Sequence, residues 1–247
     1  MKYENSIAII PAAGKGSRLN SSVPKPFVHI SDSGPTLIEY VVSSLSECVG
    51  QIVVVLSPAG LVFADALRTD WGVAIRCQES PTGMLSAIFE AEKLLDEFEN
   101  VVIVWSDQVG ISQKTVNEAL RLANSMPRGT CVVPVAHVVK PYVQYCFNDE
   151  GLIDVRESRK GHAVDEVGFT DVGTFVFKGG SELVFSYREY LNSLCDKEME
   201  LDMLPFILYL SKEPMWRVLF SDSLDAMDRL SVNTPEELKL AARLLGN

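Results

Sequence analysis

Positive charge is scarce in this 247-residue chain: Lys and Arg number 22 against 33 Asp and Glu, a formal net charge of -11 at pH 7. A general nucleic-acid binder presents a basic face to the phosphate backbone, so this balance excludes that role. It leaves room for a phosphorylated small molecule, which a few local cations or a bound metal ion can hold. Cysteine is sparse as well. The five, at Cys48, Cys77, Cys131, Cys146 and Cys195, include no C-x-x-C pair. An odd number of thiols in a chain this long is expected to be a reduced, cytoplasmic set. The three histidines, His29, His137 and His162, fall in no metal-binding spacing. No apolar run approaches the ~20 residues that span a bilayer. The apolar stretch at residues 7–11 is too short for a secretory signal. Internal repeats, low-complexity tracts and Gly/Pro-rich linkers are all missing. No membrane partner is therefore expected.

Apolar side chains are plentiful: 47% of residues are hydrophobic and 22% charged, enough to offset the entropy of ordering a globular core. They come in short β-branched bursts, at residues 7–10, 51–56, 101–105, 131–135 and 174–177. Such runs suit strands buried on both faces of a sheet. Between them lie amphipathic patterns that predict helices over 36–45, 83–98, 115–123 and 235–245. The last opens with Thr234-Pro235-Glu236-Glu237, in which a capping hydroxyl, a proline at the first turn and a glutamate three residues on all favour a helix start. Residues 142–155 read as a hairpin turning at Asn148-Asp149-Glu150-Gly151. The expectation is an α/β protein: a Rossmann-like, mainly parallel sheet with helices on both faces and a small antiparallel extension, built as one domain over residues 1–247.

The densest chemical signal follows the first apolar burst: Pro11-Ala12-Ala13-Gly14-Lys15-Gly16-Ser17-Arg18-Leu19, with Lys25 seven residues beyond Arg18 between two prolines. Small residues let backbone N–H groups approach an oxyanion, and Lys15, Arg18 and Lys25 supply mobile positive charge. Gly16 follows Gly14-Lys15, so the hydroxyl residue of a Walker A loop is missing. Leu19 stands where a dinucleotide-binding loop needs its third glycine. Taken alone, the segment also fits a plain structural turn.

Three further segments stand in order after it, and together with the Arg18–Lys25 spacing they resemble the nucleotidyltransferases that couple a nucleoside triphosphate to a sugar 1-phosphate. The Arg18–Lys25 spacing is similar to that of the N-acetylglucosamine-1-phosphate uridyltransferases. Gln78-Glu79-Ser80-Pro81-Thr82-Gly83 resembles the base-reading segment of the glucose-1-phosphate thymidylyltransferases. Asp107 stands where that family keeps a magnesium-binding aspartate, and Asn233, in Val232-Asn233-Thr234-Pro235-Glu236-Glu237-Leu238, where it keeps a second metal ligand. Singly, Asp107 also reads as a helix cap, Asn233 as a residue ahead of a helix, and Gln78 as a surface amide.

The resemblance implies the fold of the nucleotide-diphospho-sugar transferases and a magnesium-dependent transfer that releases pyrophosphate. It implies Arg18 and Lys25 as catalytic cations, with Ala12, Ala13, Gly14, Lys15, Gly16, Gln78 and Gly83 around the nucleotide. Gln78 and Gly83 favour a pyrimidine base. Glu157 and Asp171 align with contacts to the hydroxyls of a sugar phosphate. Several positions depart from the family pattern: Val143 for a glycine, Ser106 for the glycine before the metal aspartate, and Ser158 for a lysine after Glu157. The departures leave the acceptor open. A cytidylyltransferase of a non-sugar phosphate is the near alternative, although its His-Asp-Ala-Ala-Arg-Pro segment is replaced by Trp105-Ser106-Asp107-Gln108. A catalytically silent nucleotide-sugar sensor is the distant one. No hexapeptide-repeat segment follows Leu245, so a stand-alone transferase module is expected, its oligomeric state, a homo-oligomer included, left open.

Overall fold

The computed structural model describes residues 2–14, 16–19, 21–32, 34–149, 151–195 and 200–246. The chain enters through β1 (Tyr3–Ala12), two 3-10 turns (Ser17–Leu19 and Lys25–Phe27) and α1 (Leu37–Ser46). Thr36 and Glu39 form a reciprocal capping box at the start of α1, each accepting from the other's backbone N–H. Next come β2 (Val49–Leu56), α2 (Pro58–Leu61), α3 (Asp65–Trp71), β3 (Ala74–Cys77), α4 (Met84–Phe89), α5 (Glu92–Leu95), β4 (Asn100–Val104) and α6 (Gln113–Asn124). The second half holds β5 (Thr130–Val139), β6 (Val143–Asn148), β7 (Gly151–Glu157), β8 (Val167–Asp171), β9 (Thr174–Lys178), α7 (Gly180–Ser193), α8 (Met203–Leu210), β10 (Arg217–Asp222) and α9 (Pro235–Leu245). The helix expected over 83–98 is two pieces, because Ala91 leaves helical geometry at φ -96°, ψ 10°. The break lets Phe89 stack on Tyr187 of α7 while Leu95 stays fully buried in the same core.

These strands share one sheet. Its first half is parallel, in the order β3-β2-β1-β4. Its second half is the antiparallel extension. There β9 runs against β4, and β5 runs first against β9 and then, beyond Val132, against β8. The β6–β7 hairpin joins through β8, and β10 returns parallel to β5. The hairpin turns between Asn148 and Gly151, as the sequence pattern predicts. Among the described residues no helix is long and apolar enough to cross a membrane.

Period-two alternation distributes the central strands between two cores. Ile7, Ile9, Val53, Val55, Val101 and Ile103 face Leu85, Ile88, Leu183 and Phe206. Ala8, Ile10, Val54, Val102 and Val104 face Val41, Leu45, Val116 and Leu120 on the other side. Each fully buried Val, Leu or Ile contributes roughly 1.5–3 kcal/mol relative to exposure, which is why these runs carry almost no polar residue. A third, smaller cluster lies off the sheet: Leu19, Val28, Ile30, Leu37, Val109, Leu230, Val232 and Ala241. It packs together the segments that follow β1, β4 and β10.

Two polar devices fix those segments. Asp228, wholly buried, accepts from Ser112 N (2.7 Å), Ser223 Oγ (2.7 Å), Asp225 N (3.0 Å) and Thr115 Oγ1, joining the exit of β10 to the start of α6. Leu201 crosses the loop before α4. Its N–H donates to Thr82 O (3.0 Å) and its carbonyl accepts from Leu85 N (2.8 Å). Gly83 sits beneath that crossing at φ +112°, where a Cβ would collide with the Leu201 backbone.

Asp228→Ala strands several donors in a dry site and is expected to cost at least about 3 kcal/mol, read as a lower urea midpoint. A shift under about 0.5 kcal/mol, the range of ordinary surface changes, would show that the carboxylate is not a structural joint. Gly83→Ala combines a disfavoured backbone region with the collision and is expected to destabilise by about 1–3 kcal/mol in the same titration. An unchanged midpoint would contradict the tight crossing.

Candidate functional site

In an open α/β sheet, the natural crevice lies beyond the carboxyl ends of the strands where chain order reverses. Here that point is between β1 and β4, because β1 continues outward to β2 and β3 on one side and meets β4 on the other. A cleft of about 990 Å³ opens there. Ala12, Ala13, Gly14, Gly16, Arg18, Lys25, Gln78, Gly83, Asp107, Glu157, Asp171 and Asn233 all line it, so residues spread over the whole sequence meet in one cavity. Lys15 lies outside the described residues.

The floor is a set of close polar contacts. Lys25 Nζ lies 2.6 Å from Asp107 Oδ2 and 2.9 Å from Asn233 Oδ1, across sequence separations of 82 and 208 residues. Arg18 adds an N–H to the same Asn233 oxygen at 3.3 Å. Lys25 and Asp107 expose only 13% and 16% of their side chains, so bulk water screens the pair weakly. Local sequence explains each placement. Pro24 and Pro26 flank Lys25, and Phe27 anchors the turn in the core. Gly16, at φ +58°, lies so close to the Lys25 stem that a Cβ there would strike Lys25 Cβ. Asn233 stands immediately before the N-cap of α9. Its N–H donates to Glu237 Oε2 (2.6 Å), which also takes Thr234 N (3.0 Å) within the capping box.

The Asp107 and Asn233 loops are also bonded to one another. Val232 N donates to Asp107 O and Gly110 N to Leu230 O, both at 3.0 Å, and Gln108 Nε2 donates to Asp228 O. Sequence reading found the end residues of this frame and missed Gln108, Asp228 and Glu237 as its fasteners. The signal for Glu237 was present in the capping pattern; a buried Asp such as Asp228 carries no local signature.

Asp107 and Asn233 offer one carboxylate and one amide oxygen that already converge on a single cation. Hard oxygen donors of this kind suit a divalent ion such as magnesium or calcium. Among the described residues no group of three or more His, Cys, Asp or Glu forms a fuller cage. The remaining coordination would fall to water and phosphate oxygens. The cleft is open beside Gly14, where an added Cβ meets nothing within 4 Å.

Two expectations meet different surroundings. Gln78 is buried, and its Nε2 donates to Gly83 O (3.0 Å) and Ser86 Oγ (2.9 Å), so the amide nitrogen faces its own loop. The small side chain at position 83 is required by the Leu201 crossing. At the other end, Glu157 is 95% buried in side-chain terms, with 5% exposed, and both its oxygens are engaged: Oε2 by Arg159 at 3.1 Å and Oε1 by Lys160 at 2.7 Å. The Arg159 guanidinium lies over the Tyr142 ring, 5.5 Å from its centroid. Asp171 accepts from Gly173 N (2.8 Å) and Tyr145 Oη (3.2 Å). Burial raises its pKa above the usual carboxylate value, and the hydrogen bonds from Gly173 and Tyr145 oppose that rise. The same burial, reinforced by the Asp171 charge, pushes the Tyr145 phenol well up.

Residues 8–166 match the MobA-like NTP transferase domain family, which covers the glycine loop, Lys25, Gln78, Asp107 and Glu157. The chain is 24% identical over 238 residues to the bifunctional protein GlmU of Streptococcus uberis, covering 94% of this chain and 51% of that protein. The GlmU of Limosilactobacillus fermentum is 24% identical over 192 residues, covering 76% of this chain and 41% of its own length. The 2-C-methyl-D-erythritol 4-phosphate cytidylyltransferase of Baumannia cicadellinicola is 40% identical over 62 residues, 24% of this chain and 25% of that one. The chain thus spans about half or less of the length of these curated relatives in the matched regions. A putative glucose-1-phosphate thymidylyltransferase from Bacillus anthracis, solved in complex with a sucrose, superposes over 97% of this chain and 94% of its own with a TM-score of 0.76 at 17% identity, a likeness of fold. With well over half of its residues matched and the matched loops lining one cleft, the chain belongs to the MobA-like NTP transferase family.

Proposed function

We propose that this protein is a magnesium-dependent nucleotidyltransferase that moves a nucleotidyl group from a nucleoside triphosphate to a small phosphorylated acceptor, a sugar 1-phosphate being the leading class. The observation that carries the reading is the meeting of Lys25, Asp107 and Asn233 at the carboxyl ends of β1 and β4, beside an open glycine loop. An acceptor phosphate oxygen attacks the α-phosphorus and forms a new P–O bond. The bond from the α-phosphorus to the bridging oxygen breaks, and its electron pair leaves with pyrophosphate. The attacking oxygen is already anionic, so no strong general base is needed. The barrier is the approach of two polyanions and the charge gathered on phosphorus.

Each residue has a part in lowering that barrier. The glycine loop offers backbone N–H groups to the triphosphate. Lys25 reaches the α-phosphate and the incoming phosphate, and Arg18 steadies the leaving phosphates. Asp107 and Asn233 hold the magnesium ion, which supplies neutralisation of phosphate charge when bound. Gln78 Nε2 is spent on its own loop, which leaves its carbonyl oxygen to accept from a base N–H. The pyrimidine preference rests on the resemblance of residues 78–83 to the base-reading segment of the thymidylyltransferases.

On the acceptor side, Asp171 has acceptor capacity for hydroxyls beyond its bonds from Tyr145 and Gly173. Glu157 acts there together with the Arg159 and Lys160 cations it holds. That pairing suits equally a second reading, a cytidylyltransferase of a non-sugar phosphate, because both acceptor classes are anionic and hydroxylated. The 40% identity over 62 residues to a 2-C-methyl-D-erythritol 4-phosphate cytidylyltransferase supports that second reading.

Pyrophosphate release from CTP, UTP, dTTP, ATP and GTP, each crossed with sugar 1-phosphates and polyol phosphates, separates these readings. Magnesium-dependent release with a pyrimidine nucleotide and one acceptor class is expected, and no release with any pair would overturn the proposal. In the same assay Lys25→Ala is expected to lose about 10²-fold or more in kcat/KM while still unfolding in one cooperative transition. Near-normal turnover would remove Lys25 from the chemistry. Glu157→Ala is expected to raise the acceptor KM about tenfold and leave the nucleotide KM unchanged, the loss of one buried polar partner. Equal effects on both constants would place Glu157 outside the acceptor end.

A further inference from the structure

The Lys25 ammonium bonds both oxygens that are offered to a divalent ion, at 2.6 Å to Asp107 Oδ2 and 2.9 Å to Asn233 Oδ1. A magnesium ion binds oxygen at roughly 2.0–2.1 Å, so an ion held by those same two atoms would take the place the ammonium fills. The two cations repel one another, and the pair's low exposure limits screening between them. We propose that Lys25 is the resident cation of the Asp107–Asn233 pair in the ligand-free protein, that it competes with the divalent ion for these oxygens, and that nucleotide binding relieves the competition. The inference rests on the metal assignment of the proposed function and adds an order of events to it.

The lysine is built for such an exchange. Its stem is confined between Pro24 and Pro26 and against Gly16, so its base cannot drift away from the pair. The distal carbons and the ammonium are the parts free to turn. Phosphates arriving at the glycine loop offer Nζ new anionic partners in the same cleft and bring oxygen ligands for the ion. One event thus withdraws the lysine and completes the coordination sphere. Before it, the ammonium also answers the Asp107 charge, which would otherwise sit largely buried with its ion-pair partner removed. A site guarded in this way takes metal together with nucleotide and holds free metal poorly. Arg18, which is exposed, donates to Asn233 at 3.3 Å and among the described residues has no bond to Asp107, so it provides a charge-matched comparison.

The test uses Mn2+ as the probe, followed by electron paramagnetic resonance of the full chain without nucleotide and with CTP or UTP. Lys25→Met is expected to bind free Mn2+ about tenfold or more tightly than wild type, while Arg18→Met gains less than about threefold. Adding nucleotide is expected to raise Mn2+ affinity more in wild type than in Lys25→Met, and Lys25→Met/Asp107→Asn is expected to lose the gain. Lys25→Gln serves as a second variant, and melting curves verify folding of both. Equal Mn2+ affinity in wild type and Lys25→Met, or equal gains from Lys25→Met and Arg18→Met, would overturn the competition while leaving the metal site in place. Mn2+ binding that ignores Asp107→Asn in every background would overturn the metal assignment itself.

Discussion

Everything at the cleft depends on one packing constraint: three loops that follow β1, β4 and β10 must stay together although they carry charges and lie far apart in sequence. The small apolar cluster of Leu19, Val28, Val109, Leu230 and Val232 meets that requirement. Each polar group of the cleft floor has an apolar neighbour anchored in it: Arg18 beside Leu19, Lys25 just before Val28, Asp107 two residues before Val109, and Asn233 after Val232. Hydrophobic burial is non-directional, so it supplies cohesion and leaves aim to other forces. The backbone bonds from Val232 to Asp107 and from Gly110 to Leu230, with buried Asp228 behind them, supply the aim. The cleft is therefore held by a core of its own, separate from the two that sandwich the sheet.

That arrangement explains which parts were legible in the sequence. The β1, β2, β4 and β9 strands announce themselves as β-branched runs because both their faces are buried. The start of α9 is legible because Thr234, Pro235 and Glu237 satisfy its first N–H groups by local chemistry. The glycine loop, Lys25, Asp107 and Asn233 stand out by motif. What local pattern cannot carry is contact between distant segments. Leu201 crossing Gly83 is a backbone event with no side-chain signature, and a glycine placed by it looks the same as one placed by a ligand. The buried hydrogen-bond hub at Asp228 reads in sequence as one more surface aspartate. The helix over 83–98 divides at Ala91, an alanine that favours helix on its own, because packing against α7 outweighs propensity.

Charge organises the two ends of the cavity differently. At the glycine-loop end, the Lys25 and Arg18 cations gather over a carboxylate and an amide. At the other end, Glu157 is enclosed by Arg159 and Lys160, and Lys160 continues to Asp202 at 2.7 Å, one residue beyond the Leu201 crossing. The turn at residues 157–160 and the loop that contains Gln78 are thereby joined through residues 201 and 202. A protein of net charge -11 in this way still gathers Lys25 and Arg18 in one cleft.

The central claim is that Asp107, Asn233 and Lys25 form one cation-and-phosphate site. Anomalous diffraction from crystals grown with Mn2+ and a non-hydrolysable pyrimidine nucleoside triphosphate tests it most directly. The account predicts a manganese peak bonded to Asp107 and Asn233, the triphosphate along residues 12–18, and Lys25 Nζ moved from the carboxylate to a phosphate oxygen. A peak bound elsewhere, with Lys25 still bridging Asp107 and Asn233 beneath a bound nucleotide, would contradict it.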